Sequence, residues 1–510
     1  MNYAISLRPN EPAPYVSLGN HARVKGNYER AQANLERALD LDKSHHSALA
    51  GLATLFDNIG DFEKSKKYWE KILTNHPKNE RAVMGLGKSL YRNGNYDEAY
   101  IYLKKILTEN SHRYGREAGF YCINIARNHM NNDDEVIELC TDILQMYIEE
   151  LSTHKNGHVP VTQLALALGR TNRTKEALSL VKKHSSLYHN PSECHLLTAQ
   201  LHLDQGRTDA YFSAVKQVFD SHGDELMSFD SSDEQKRLLV GNLFTKETRK
   251  QSKETPLVSV IMTVYKHNEL LESAINSVLN QSYQNLELII IDDCSPDNVY
   301  ESLHEITQGD KRVKLQRMKR NGGTYLAKNK GMSMATGKYV SFHDSDDWLH
   351  PSKIEICVNK LEENQDIVAV FSNYFRVDEN GNFIFRGIGA VRPACISLTM
   401  RREEVLTKIG FFDAVRVSAD SEYEYRIRAV FGEERVVFLD APFLIASVRS
   451  ESLSQGGKFA VGWSGLTGIR LNYRKAYTEW HNSEDFKSNY FLSINSAEQR
   501  SFVAPEEILP

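Results

Sequence analysis

The 510-residue sequence predicts an α + α/β protein, an all-helical repeat domain followed by an α/β domain with a mostly parallel sheet. Three observations predict it. Small and aromatic residues recur at a spacing of 34 through the first part of the chain. From Pro256 the pattern changes to apolar strand-like runs separated by amphipathic helical stretches. One of those runs, KYVSFHDSDDWLHP from Lys338 to Pro351, breaks into three acids, Asp344, Asp346 and Asp347.

Composition sets the frame. A chain this long holds two or more cores, and its 41% hydrophobic and 25% charged residues are those of an ordinary globular protein. A formal net charge of -5 gives no electrostatic case for nucleic acid as a partner. The basic run Lys311–Arg320 reads as the wet edge of a strand, because Val313 and Leu315 interleave it. The longest aliphatic run, Leu288–Ile291, is far too short to cross a bilayer, and the N-terminal stretch lacks an apolar signal core. Cysteines 122, 140, 194, 294, 357 and 395 are scattered without Cys-x-x-Cys spacing, as expected of reduced thiols in a cytoplasmic protein.

The repeat is explicit. Gly26, Gly60 and Gly94 each precede by two residues an aromatic, Tyr28, Phe62 or Tyr96, and Ala31, Ser65 and Ala99 follow three residues later. Leu18, Leu52 and Leu86 hold the same register, and Pro9 and Pro77 share one further repeat position. Two antiparallel helices per unit explain this: glycine turns the chain, the small residue admits close approach, the aromatic fills the gap, and proline stops the second helix. The pattern resembles tetratricopeptide repeats, with units at roughly 12–45, 46–79 and 80–113. Tyr3–Asn10 matches the end of a repeat's second helix, which reads either as an N-terminal cap or as the end of a unit that starts upstream. Beyond about Arg116 the period decays, while helix pairs turning near Asn131, Asn172 and Gly206 continue a solenoid to roughly residue 222. Asp230–Phe244 reads as one more amphipathic helix, and Lys246–Glu254 as a charged linker. The expected domains are therefore 1–222 (repeats), 223–255 (helical and charged linker), 256–460 (α/β) and 461–510 (C-terminal helix and tail).

In the second half, LVSVIMTVY is a buried strand, a helix follows through Leu271, Ala274, Ile275 and Val278, and NLELIIIDD is a second buried strand. Strand, helix, strand implies a right-handed crossover and a parallel sheet, whose ligands sit outside the carboxyl ends of its strands. Tyr265, the Asp292–Asp293 pair and Asp344–Asp347 all fall at such ends. The Asp-x-Asp spacing of Asp344 and Asp346 lets two carboxylates reach one hard divalent cation; a solvated, helix-capping turn is the bland alternative.

The stretches VSVIMTVYKHNELLESAINSVLNQSYQNLELIIIDDCSPD and NGGTYLAKNKGMSMATGKYVSFHDSDDWLHP, in that order, resemble inverting family 2 glycosyltransferases of the GT-A fold, over about residues 256–450. The resemblance implies a nucleotide-sugar donor, UDP-linked in many members. Tyr265 would stack on the nucleobase, Asp293 would accept a hydrogen bond from the base edge, and Thr263 joins that donor-binding set. Asp292 is open between the same role and an Asx turn. Lys328 would neighbour the diphosphate, behind a tight turn at Asn321, Gly322 and Gly323. Asp346 matches the metal-binding acid, for Mn²⁺ or Mg²⁺, Asp344 would contact ribose or metal, and Asp347 would orient its neighbours. Aligned through Gly410–Asp413 and Arg426, the catalytic aspartate falls on Asp420, with Glu422 as the rival base and a helix cap as the structural alternative. Two departures stand out: Ala419 replaces the acid that usually precedes the aspartate, and SVRSESLSQGG lacks a metal-binding histidine, leaving Arg449 and Ser452 to touch phosphate or nothing.

These roles imply a single displacement with inversion, in which Asp420 takes the acceptor's proton. The repeats would dock a glycan or protein acceptor, or a partner protein, in their groove. The basic, aromatic stretch 457–481 reads as a helix packed on the domain, or as a peripheral membrane contact. Two other classes compete: an interaction scaffold with an inactive transferase domain, and a nucleotidyltransferase. The latter would want a Gly-rich phosphate loop with Arg and Lys where this chain has TVYKHNE.

Overall fold

The computed structural model describes residues 9–109, 111–220, 227–229, 237–245, 255–387, 389–449, 459, 468–494 and 500–510. They divide into two compact units, Met1–Leu187 and Tyr188–Pro510.

The first unit is a run of helices: α1 (Pro12–Val24), α2 (Tyr28–Leu41), α3 (His46–Ile59), α4 (Phe62–Asn75), α5 (Glu80–Arg92), α6 (Tyr96–Thr108), α7 (Gly115–Asn128), α8 (Asp133–Thr153), α9 (Val159–Arg170) and α10 (Thr174–Lys183). The three turn glycines take φ of 77°, 79° and 86°, the left-handed conformation that costs a residue without Cβ least. Helix caps follow at once: Asn27 accepts from the Arg30 amide at 3.1 Å and Asp61 from the Lys64 amide at 3.1 Å. Ala31, Ser65 and Ala99 are all fully buried where neighbouring helices meet. A Cβ on Gly85 would stand 2.4 Å from Trp69, so that crossing admits no larger residue. The period fades for a visible reason. Helix α8 runs for 21 residues and bends at Tyr147, whose φ is -126° and ψ 20°, and whose hydroxyl donates to the Ser111 carbonyl at 3.3 Å. Asn131 and Asn172, at φ of 49° and 62°, turn the chain where glycine did before.

The second unit begins earlier than the sequence suggested. The hairpin of α11 (Pro191–Leu203) and α12 (Thr208–Asp220), turning at Gly206, belongs to it and not to the repeat unit. Its polar residues explain why. Gln200 accepts from the Phe383 amide at 2.8 Å, and the buried Glu193 accepts from the amides of Ala390 (2.9 Å) and Val391 (2.7 Å). The expected helix at Asp230–Phe244 is not what residues 237–245 form. They make a short 3-10 turn, Val240–Asn242, and then β2 (Leu243–Thr245), antiparallel to β1 (Met227–Phe229). Residues 230–236 and the charged stretch 246–254 lie outside the described residues, as do Tyr3–Arg8 and Ser452.

Next come β3 (Val258–Val264), α13 (Leu271–Leu279), β4 (Leu286–Asp292), α14 (Val299–Thr307), β5 (Val313–Arg317), α15 (Thr324–Met334), β6 (Tyr339–Asp344), β7 (Trp348–Leu349) and α16 (Lys353–Glu363). Then follow β8 (Ala369–Asp378), β9 (Arg392–Arg401), α17 (Arg402–Ile409), α18 (Ala419–Phe431), β10 (Val436–Val448), α19 (Gly468–His481) and α20 (Glu484–Ser488). Strands β3–β10 form one eight-stranded sheet in the order β5-β4-β3-β6-β9-β8-β10-β7. The half from β5 to β6 is parallel; β9 runs antiparallel to both β6 and β8, β10 parallel to β8, and β7 antiparallel to β10. The sheet is thus mixed, with its parallel half where the sequence placed it. Strand β5 is an edge and only partly buried, which accounts for Lys314 and Arg317 on its exposed positions. Along β3, Val258, Val260 and Met262 pack with α13 on one face while Ile261 joins Phe342 and Tyr423 on the other, the double burial of a central parallel strand.

The C-terminal helix packs on the domain. Tyr473, Tyr477 and Trp480 are buried, and the Arg416 amide donates to the Ile508 carbonyl at 2.7 Å, pinning the tail. No helix among the described residues is long and apolar enough to cross a membrane.

Candidate active site

The ends of β3, β4, β6 and β10 and the helices α15 and α18 build the site. At the end of β3, Thr263 is buried and its hydroxyl lies 2.8 Å from that of Thr324. Tyr265, two residues on, is 51% exposed, an aromatic face left open to solvent. Lys266 then takes a φ of 66°, and its amide donates to Ser295 at 2.9 Å, fixing the turn that presents Tyr265.

The two acids closing β4 separate into different tasks. Asp292 is fully buried; it accepts from the Ser295 amide at 2.9 Å and hydroxyl at 2.5 Å, and Arg317 lies 3.1 Å from its other oxygen. That is an Asx turn, the structural alternative for this position. Asp293 turns the other way. Its carboxylate takes the amides of Gly322 (2.9 Å) and Gly323 (2.7 Å), and so holds the expected Asn321–Gly323 turn shut. Burial pushes its pKa up, and the two glycine amides pull against that shift. A carboxylate has about four lone-pair sites, so two remain for a ligand.

Helix α15, which grows out of this turn, reaches β3, the end of β6 and the start of α18. Thr324 meets β3. Tyr325 faces Asp420, and burial together with that carboxylate holds the phenol well above its usual pKa. Lys328, almost fully buried, donates to Asp344 at 2.9 Å. Asn329 exchanges two hydrogen bonds with the backbone of Phe412, donating to its carbonyl at 2.9 Å and accepting from its amide at 3.0 Å. Tyr325 and Asn329 escaped the sequence reading. The available signal was polar side chains spaced along the otherwise apolar side of a helix.

At the end of β6 the three acids are held differently. Asp344 is partly exposed and paired with Lys328. Asp346 is paired with Arg449, a partner the sequence left unassigned. Asp347 is buried and accepts from the Ser447 amide at 3.1 Å, while its carbonyl lies 3.1 Å from the buried His343 ring. Burial and the two neighbouring aspartates raise the Asp347 pKa well above the ordinary carboxylate range. No group of three His, Cys, Asp or Glu side chains among the described residues is arranged around one metal position. The oxygens of Asp344 and Asp346 nonetheless suit a hard divalent cation whose remaining ligands are phosphate oxygens and water.

On α18, Asp420 and Glu422 part company. Asp420 lies in the first turn, partly exposed, and accepts a local bond from the Ser421 amide at 2.9 Å. Glu422 is fully buried. Arg426 grips both its oxygens, at 2.9 and 3.0 Å, and the His481 ring lies 3.0 Å from one of them. The Arg426 charge and the His481 hydrogen bond hold its pKa down despite burial, and with no exposed surface it cannot meet an acceptor hydroxyl. The rival-base role does not fit it. Ala419 is fully buried in the core, so the position of the missing acid faces apolar neighbours here.

Residues 259–423 match the family model described as Glycosyl transferase family 2, and residues 16–58 and 51–113 match the Tetratricopeptide repeat model. An uncharacterized glycosyltransferase of Haemophilus influenzae is 44% identical over 129 residues, 25% of this chain and 51% of that protein. Glycosyltransferase GlyG of Streptococcus pneumoniae is 37% identical over 151 residues, 29% of this chain and 50% of that protein. An uncharacterized glycosyltransferase of Methanocaldococcus jannaschii is 28% identical over 264 residues, covering 47% of this chain and 86% of its own. The chain thus spans about half the length of the first two relatives. Among solved structures, S. aureus TarS 1–349 in complex with UDP-GlcNAc aligns with a TM-score of 0.35 at 18% identity, over 44% of this chain and 66% of that one.

Proposed function

We propose, for a chain whose residues 259–423 form a family 2 glycosyltransferase domain behind tetratricopeptide repeats, that it moves a sugar from a nucleoside-diphosphate donor, UDP-linked, to a hydroxyl acceptor with inversion. The observation that carries this reading is α15, which joins the donor-side residues Thr263, Asp293 and Asp344 to Asp420 through consecutive turns of one helix.

In this reading Tyr265 stacks on the nucleobase and Asp293 accepts from its edge, using the lone pairs that Gly322 and Gly323 leave over. Lys328 and Arg449 carry the positive charge beside the diphosphate. Asp344 and Asp346 would hold Mn²⁺ or Mg²⁺, which when bound supplies positive charge to the departing diphosphate. Asp420 accepts the proton of the attacking acceptor hydroxyl, and Tyr325 orients its carboxylate. No covalent intermediate forms on the enzyme, so the anomeric configuration inverts. The acceptor is a glycan or protein hydroxyl and the setting cytoplasmic. The repeats bring a partner or acceptor protein, for which unit 1 offers a recess of about 360 Å³ lined by Arg116, Phe120, Tyr121 and His154.

The test incubates purified protein with UDP-sugars and Mn²⁺ and compares nucleotide release with that of Asp346→Ala and Asp420→Ala. Release that depends on one donor and collapses in both variants is expected. Equal release from all three proteins across the common donors would leave a scaffold with an inactive domain as the better reading. Pyrophosphate release from a sugar 1-phosphate and UTP would point to a nucleotidyltransferase.

A further inference from the structure

The stretch from Ile409 to Ser418 joins α17 to α18 and so sets where Asp420 stands. It is bonded along its length to the C-terminal part of the chain. The Phe411 amide donates to the Leu492 carbonyl at 2.8 Å, and the Leu492 amide donates to the Ile409 carbonyl at 3.1 Å. The buried Asp413 accepts from the Tyr473 hydroxyl at 2.9 Å and pairs with Arg500, which also donates to the Ala414 carbonyl at 3.3 Å. Arg416 donates through its amide to the Ile508 carbonyl at 2.7 Å and through Nε to the Leu509 carbonyl at 3.3 Å. All these C-terminal partners lie beyond residue 423, where the match to the transferase family ends.

One further bond reaches the start of the base helix itself. Ser418 stands immediately before α18 with φ 67° and ψ 10°. A residue with a Cβ keeps that left-handed conformation only where its surroundings hold it. A serine in this place ordinarily accepts from the amides of the first helical turn. Among the described residues Ser418 makes no such bond; its hydroxyl accepts instead from Arg470 Nη1 on α19 at 2.8 Å. Arg470 is anchored in its turn, since Nε donates to the Phe459 carbonyl at 2.6 Å. A planar guanidinium held at two of its donors fixes a direction that an ammonium would leave free. The Arg470 charge also arrives at the site: burial and then the Asp420 carboxylate raise the Tyr325 phenol, and Arg470 opposes them.

We infer, on the transferase reading, that Arg470 is a positioning residue for Asp420, acting through Ser418 to fix the first turn of α18, so that the C-terminal helix completes the base side of the site. Contact with substrate is not needed for this, because misplacing a reacting group by about 1 Å costs on the order of 100-fold in rate. A purely structural arginine is at hand for comparison. One turn along α19, Arg474 donates to the Tyr425 hydroxyl at 3.2 Å, further down α18.

Nucleotide release from UDP-glucose, UDP-galactose and their N-acetylated forms is measured with Mn²⁺ on the full chain, giving kcat and the donor KM, and UDP affinity is measured by calorimetry. The variants are Arg470→Gln, Ser418→Ala, the two combined, and Arg474→Gln. Arg470→Gln should lower kcat about 30-fold while donor KM and UDP affinity stay at wild-type values. Ser418→Ala should lower kcat in the same way, and the double variant should lose no more than Arg470→Gln alone, because the two residues act as one unit. Arg474→Gln should keep the wild-type kcat. An equal loss in Arg474→Gln, losses that multiply in the double variant, or a loss that falls on KM and UDP affinity overturns the inference. Should Arg470→Gln fail to fold, Ser418→Ala decides, and a wild-type kcat there overturns it. A wild type that releases nucleotide from none of these donors overturns the transferase reading and this inference with it. Release from Arg470→Gln equal to that of an active wild type overturns the inference alone.

Discussion

Asp292 and Asp293 close β4, and Asp344, Asp346 and Asp347 close β6, yet the two strand ends spend their negative charge differently. At β4 the carboxylates are taken up mainly by backbone amides and a serine hydroxyl. Those partners are fixed in place, so the acids there shape the chain, and Asp293 has only the lone pairs that its two amides leave over. At β6 Asp344 and Asp346 are met by the charged side chains of Lys328 and Arg449. Charge balanced by a side-chain cation is charge for which another ion can compete. Position at a strand end is common to all five acids; the kind of partner divides architecture from chemistry.

Substitutions break or sharpen this contrast, and the largest expected effect is at an acid of a third kind, Glu422, sealed in the core against a buried arginine. Glu422→Gln leaves the buried Arg426 charge without its partner, and unfolding by urea should show a loss of about 3–5 kcal/mol. A loss under 1 kcal/mol would mean that its ion pair is not part of the architecture. At the β6 end, Asp346→Asn should lower donor-dependent nucleotide release about 100-fold, with the thermal midpoint unchanged or raised. Unfolding of this variant instead would erase the distinction between the two strand ends. Asp293→Ala strips the partner from two amides, and the stability measured in urea should fall by about 2 kcal/mol.

The smallest effect is a pH dependence at Glu193, an amide-bound acid like Asp293. Burial raises its pKa to about 7 although the Ala390 and Val391 amides oppose the shift. The native state then binds more protons than the unfolded chain between the ordinary glutamate value and about 7, so stability falls as pH rises through that window and levels off above it. Between pH 5 and 6 wild type should lose about 1 kcal/mol that Glu193→Gln does not. Parallel stability profiles for the two proteins would show that the amides, not burial, govern this carboxylate.

Much of this was legible in the residues, and the reasons differ by region. The repeat is written in residue types that have one physical use each, a left-handed glycine and a buried small residue, so its helices could be placed within a few positions. The strand ends of β3, β4 and β6 were legible because hydrophobic runs stop abruptly at polar residues. What stayed hidden depends on tertiary partners. Nothing local separates Asp420 from Glu422, two residues apart on one helix; only Arg426 and His481 closing on the second acid do so. Asp292 and Asp293 are likewise adjacent and alike in type. The hairpin at 191–220 has the helical period of the repeats, and its assignment to the second unit depends on where Glu193 and Gln200 send their side chains. The region around Asp230–Phe244 was misread because its apolar residues fit a helical spacing while a strand pairing, invisible to periodicity, claims Leu243–Thr245.

Asn329 has one consequence beyond holding a loop. A single amide both gives to and takes from the Phe412 peptide, which makes the segment leading to α18 mechanically continuous with α15. Whatever motion the domain makes, α15 and the segment leading to α18 should travel together as one stiff part. The spacing between Phe412 and Asp420 then acts as a ruler: a residue inserted or deleted there would shift Asp420 against Tyr325 and Lys328.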